Sequence, residues 1–168
     1  MKILPSLILA VVSPLALAGG SHYGTPAGTP ARFDGQVAEW PVPTPAFARD
    51  PAVAPDGAIF IAVMAGNKVA RFDPASQSFK EWDLPRGHHP HGLLVDRQSI
   101  VWTTGNGNGT IGRLDPATGA IREFPAPSRD GGPHTLVISG DGRTIWFTLQ
   151  SGNRIGRLDT ASGRITET

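Results

Sequence analysis

Three histidines within four residues, in Gly87-His88-His89-Pro90-His91-Gly92, are the densest group of imidazoles in the sequence; His134, in Gly132-Pro133-His134, follows His91 by 43 residues. Imidazole titrates near neutrality, and its ring nitrogens also ligate transition metals. Two or three such rings converging on one rim suit a transition metal or an oxygen-rich ligand held by hydrogen bonds. His89, His91 and His134 are accordingly the candidate ligand-binding residues. A plainer reading stands beside this one. In it, His91 and His134 open successive repeats and bond the neighbouring repeat's backbone, while His88 is a solvated loop residue. Thiol chemistry and disulfides are excluded, because the chain has no Cys.

The spacing of the histidines belongs to a repeat. Ile100–Pro127 (IVWTTGNGNGTIGRLDPATGAIREFPAP) is echoed downstream over Thr144–Thr168 and more loosely upstream over Ala58–Pro85. Arg71, Arg113 and Arg157 are 42 and 44 residues apart, as are Glu81, Glu123 and Glu167. Each copy holds four short apolar or β-branched runs separated by turns such as Asp56-Gly57, Gly66-Asn67, Asp115-Pro116-Ala117-Thr118-Gly119 and Asp141-Gly142. Gly, Asn and Asp at such places make the tight turns that join antiparallel strands. A period of about 40 to 45 residues built from strands and turns marks a propeller blade. The predicted fold is all-β: about three four-stranded β-propeller blades, at about 48–85, 86–127 and 128–168, in an incomplete ring. The loop entering each blade would place the histidines at one mouth of the central channel.

Outside the blades, residues 1–18 read as a signal peptide, with Lys2, an interrupted apolar run and a small-x-small site at Ala16-Leu17-Ala18. A periplasmic or secreted location follows, with no membrane span once the leader is removed. Residues 19–35, rich in Gly, Pro, Thr and Ser, read as a flexible linker, and 37–43 as an orphan outer strand whose Glu39 keeps the 42-residue register with Glu81. Removal of the leader takes away one basic and no acidic residue from a chain of 15 and 14, leaving a balance that does not suit a nucleic-acid partner. Three blades do not close a ring. The chain therefore reads as an N-terminal fragment, or as a segment that self-assembles if Thr168 is its natural end.

The elements Pro90-His91-Gly92, Ile145–Thr148, Gly152–Asp159, Asp115–Gly119 and Ile121–Pro127 resemble the blades of the virginiamycin B (streptogramin) lyase family over about Val37 to Thr168. The resemblance implies a seven-bladed propeller that opens the ester of a cyclic depsipeptide by elimination. It also implies a His that removes the proton alpha to the lactone carbonyl, and a magnesium ion held partly by Glu that polarises that carbonyl. On this resemblance His134 and His91 stand at the general-base place. The carboxylates do not follow: Gly132 and His89 stand where one Glu is expected, and Leu149, Thr104 and Val63 where the other is. The first blade, read as Asp50-Pro51-Ala52, has no His. The expected cofactor is therefore magnesium by resemblance, with no ligands for it in this chain, and the expected partner a small-molecule or cyclic peptide ligand at the channel mouth. Two other readings remain: a non-catalytic periplasmic binding or scaffold propeller, and a metal-binding sensor or gluconolactonase-like hydrolase. The recurring Arg series and the Trp series (Trp40, Trp82, Trp102, Trp146) read as blade architecture, and Gly105–Gly109 as a permissive loop.

Overall fold

A computed structural model of the protein describes residues 32, 33 and 35–168; the leader read over 1–18 lies outside them. The described residues form β-strands joined by turns, with no helix among them. β1 (Arg32–Phe33) and β2 (Ala38–Glu39) make a two-residue antiparallel pair. Ala38–Glu39, inside the stretch read as an orphan outer strand, thus pairs with residues of the preceding linker rather than with a blade. Three four-stranded sheets follow in simple meander order. The first blade holds β3 (Ala48–Val53), β4 (Ile59–Val63), β5 (Lys68–Asp73) and β6 (Ser78–Asp83). The second holds β7 (Pro90–Val95), β8 (Val101–Gly105), β9 (Thr110–Leu114) and β10 (Ile121–Pro125). The third holds β11 (Pro133–Ile138), β12 (Thr144–Leu149), β13 (Arg154–Asp159) and β14 (Ile165–Glu167). The all-β blade architecture is as the sequence predicts, and the ring is open.

The turns close by local chemistry. Asp56, Asp73, Asp115, Asp141 and Asp159 each accept a backbone N–H two or three residues on, the Asx-turn geometry that favours Asp at these places. Those backbone N–H bonds hold the carboxyls of Asp56, Asp73, Asp115 and Asp159 below the ordinary range. For Asp141 the Ser139 hydroxyl is the larger cause. The Arg series behaves as architecture: Arg71 pairs with Asp56 at 3.0 Å, and Arg113 and Arg157 lie over Trp102 and Trp146.

Blades stack face to face through two apolar layers. Phe60, Ala62, Val69 and Leu84 of the first blade pack on Leu93, Val101 and Leu114 of the second. Trp102, Ile111 and Phe124 of the second then pack on Leu136, Ile145, Phe147 and Leu158 of the third. Thr104 fastens the second joint: its hydroxyl donates to the His134 carbonyl at 2.7 Å and accepts the Gly92 N–H at 2.7 Å. Gly92 has no room for a side chain there, since a Cβ would lie 2.3 Å from that same carbonyl.

Two details differ from the sequence reading, and both move site residues. Each first strand starts three residues earlier than its apolar run, because a register irregularity after Ala48, Pro90 and Pro133 lets the strand continue inward past the polar positions. His91 and His134 therefore lie in strands, not on the entry loops. Pairing register also resets the repeat alignment. Ala48 faces Val63, Pro90 faces Gly105 and Pro133 faces Leu149. Gly105, not Thr104, is the counterpart of Leu149, and Arg49, not a residue of Asp50-Pro51-Ala52, is the first blade's counterpart of His91.

Candidate functional site

β7 lies against both β3 and β11, so these three first strands form one continuous inner wall. At matching places on them stand Arg49, His91 and His134. The guanidinium Nη2 of Arg49 donates to His91 Nε2 in a very short contact. The imidazoles of His91 and His134 lie with centroids 3.5 Å apart and planes inclined by 36°. His91 is only 5% exposed, whereas His134 is partly exposed and its Nδ1 lies 3.1 Å from the Thr135 hydroxyl. Burial pushes the proton affinity of His91 down, and the neighbouring His134 and Arg49 push it further; the Asp50 carboxylate opposes them. His91 is thus held as a neutral imidazole, with Nε2 turned to an obligate donor and Nδ1 buried without a partner.

His89 belongs elsewhere. It is exposed with φ 47°, donates its backbone N–H to Asn67 Oδ1 at 2.8 Å, and sets Nδ1 3.2 Å from the Met64 carbonyl. These bonds pin the entry loop to the first blade, and none joins His89 to the other two rings.

His88 is not a solvated loop residue: it is 0% exposed. Its Nδ1 lies 2.8 Å from Glu123 Oε1 and its Nε2 2.8 Å from the Thr103 hydroxyl. Asn108 Nδ2 donates to the same carboxylate oxygen at 2.8 Å, and the Thr110 hydroxyl lies 3.0 Å from it. Room for the ring comes from glycine, because a Cβ on Gly105 would sit 2.7 Å from His88 Nδ1 and one on Gly112 2.8 Å from its Cε1. The ring fills the place that Val63 and Leu149 side chains hold in the other blades. In those blades the matching carboxylate is capped by an entry-segment hydroxyl: Thr44 donates to Glu81 at 2.7 Å and Ser128 to Glu167 at 2.6 Å. The Glu series is therefore a latch between each blade's entry segment and its last strand, and His88 is the second blade's version. The His88 hydrogen bond holds Glu123 down to about 2, with help from Asn108 and Thr110 and against its own burial.

Sequence reasoning missed Arg49 and the His88–Glu123 latch. Counting 42 residues back from His91 reaches Arg49, but the Asp-Pro pair suggested a different frame. The Glu period was visible without its partners.

The wall does not fit magnesium. That ion needs oxygen ligands, carboxylates above all, and the row offers a guanidinium and two imidazoles. Gly132, Leu149, His89, Gly105 and Val63 bring no carboxylate to the places where the resemblance expects one. Among the described residues, no group of three or more His, Cys, Asp or Glu side chains is arranged to hold a metal.

Fold and wall together define a β-propeller whose consecutive inner strands carry Arg49, His91 and His134 at matching places. The model of the virginiamycin B lyase family matches residues 29–168, and the chain belongs to that family. Over 92 residues it is 36% identical to the virginiamycin B lyase of Nocardia farcinica (strain IFM 10152), covering 54% of this chain and 32% of that one. A solved streptogramin B lyase superposes with a TM-score of 0.71 at 29% identity, over 79% of this chain and 43% of the other. A catalytically inactive His-to-Ala virginiamycin B lyase from Staphylococcus aureus, crystallised with quinupristin, gives a TM-score of 0.71 at 30% identity, over 79% of this chain and 45% of that one. The chain thus spans about a third of the curated relative's length and less than half of these solved lyases.

Proposed function

We propose that these blades are the ligand-facing inner wall of an exported, virginiamycin B lyase-like propeller that opens a cyclic depsipeptide ester by elimination. The observation that carries the reading is the Arg49–His91–His134 row, one side chain from the inner strand of each of three consecutive blades. Family membership supplies the reaction class, and the quinupristin bound by the inactive S. aureus lyase supplies the class of ligand. Within the row His134, partly exposed, is the better placed to exchange a proton with a ligand; His91 is buried with its Nε2 engaged. Magnesium, which the family resemblance implies, would supply Lewis-acid polarisation of a carbonyl, and the row of Arg49, His91 and His134 offers it no oxygen ligand. Its carboxylate ligands would come from outside these three blades. The leader read over 1–18 supports export to the periplasm or beyond.

The test is incubation of quinupristin and magnesium with the 168-residue chain. Elimination leaves the mass unchanged and alters chromatographic retention, whereas hydrolysis adds one water. The account expects retention of quinupristin by the chain with no ring opening. Absence of binding would overturn the wall assignment, and ring opening by this chain alone would overturn the placement of the carboxylates elsewhere.

A further inference from the structure

The paired imidazoles of the inner wall suit two opposite ligands, a transition-metal cation or an oxygen-rich acceptor, and Arg49 decides between them. A guanidinium has no lone pair to give, so in its contact with His91 the imidazole Nε2 accepts and the hydrogen resides on Nδ1. That Nδ1 is buried without an acceptor. A metal reaching His91 would have to displace Arg49 from Nε2 or occupy Nδ1, with a fixed positive charge beside it in either case. Among the described residues Arg49 forms no ion pair with a carboxylate, and it meets His91 and, at 4.6 Å, the Phe47 ring. Asp50 is the acid whose charge reaches His91. His134 Nδ1 lies 3.1 Å from the Thr135 hydroxyl, and either atom can donate, so this ring can offer a ligand an N–H or a lone pair. The row therefore holds one permanent cation and no carboxylate.

Resting on the wall reading above, we infer that the Arg49–His91–His134 row is a carboxylate-binding subsite, and that it recognises a ligand by an anionic carboxyl group rather than through a metal ion. Arg49 keeps guanidinium N–H groups beyond the one given to His91, and charge-assisted hydrogen bonds from a guanidinium to a carboxylate are the strong kind. The neutral His91 between them spaces Arg49 and His134 across three strands without adding a second fixed charge.

The test uses the full chain and follows the imidazole nitrogens of His91 and His134 by long-range nitrogen–proton NMR. N-acetylglycine is titrated in, with N-acetylglycinamide as its uncharged counterpart and zinc chloride as the rival. The inference expects saturable shifts of both rings with N-acetylglycine, none with the amide, and weakening by about tenfold or more in Arg49→Gln. Arg49→Lys, which keeps the charge and loses the fork, should retain part of the binding. Equal response to acid and amide would overturn the carboxylate assignment. Saturable zinc binding at these two rings that leaves Arg49→Lys and the parent alike would overturn the exclusion of metal. Should Arg49→Gln fail to fold, the acid-against-amide comparison in the parent chain still decides. Neither readout requires quinupristin, so failure here is distinct from failure of the lyase reading.

Discussion

His91 and His88 stand three residues apart in sequence and show how environment assigns opposite roles to one side chain. His91 is buried, packed against the His134 ring and faced by Arg49, so its protonated form is disfavoured. We expect its NMR titration midpoint below 6.5, the ordinary histidine value, rising in Arg49→Gln as one repelling charge is removed. A folded-state affinity below the unfolded one means the unfolded chain binds this proton more readily. Stability contributed at this site is thus present above the unfolded value and falls with pH through it. His88 instead serves Glu123. The carboxyl is lowered from 4.5 to about 2 and its side chain is 24% exposed. Its contribution, roughly 2 kcal/mol after screening, is present above pH 4.5 and drains away toward pH 2. Glu123→Gln should lower stability by about that amount at pH 7, and the gap should close toward pH 2 in urea-melt midpoints. A gap that persists at low pH would mean the latch acts through shape and not charge.

At the scale of elements, the joint between the second and third blades turns on Thr104. Thr104→Val preserves shape and removes both the donor to the His134 carbonyl and the acceptor of the Gly92 N–H. We expect a loss of about 2–3 kcal/mol, together with displaced His134 resonances, because the same strand carries the ring. A stability loss without movement of His134 would separate the joint from the site. The four strands of each blade were legible because their turns are spelled by Asp and Gly, and their apolar runs by alternation. The inward extension of β3, β7 and β11 was not. It carries polar residues, Arg49 and His91 among them, and is held by pairing across an irregular register that no residue type announces. The second blade's counterpart of Leu149 slipped by one position for a related reason: Gly105 yields its space to His88, so the apolar pattern that would have marked the place is missing.

Across the whole molecule, the same residue place changes character with its neighbours. Trp102 is 2% exposed under the third blade, while Trp146 at the equivalent place is 42% exposed. Val137 and Ile155 share that outer face and are also exposed. The blade was readable from period and the family resemblance from its motifs; which face a blade leaves open depends on what stacks against it. Trp146→Thr with Ile155→Thr should therefore change urea-melt midpoints little, since both side chains already meet solvent, whereas Trp102→Thr at the covered equivalent place should lower them clearly.

The central claim is that Arg49, His91 and His134 form the wall that meets the ligand. Its most direct measurement is the imidazole nitrogen spectrum of the chain titrated with quinupristin. The account predicts that His91 and His134 resonances move together and saturate, while the enclosed His88 and the loop-bound His89 stay in place. Binding that leaves His91 and His134 unmoved, or that moves His89 instead, would contradict it.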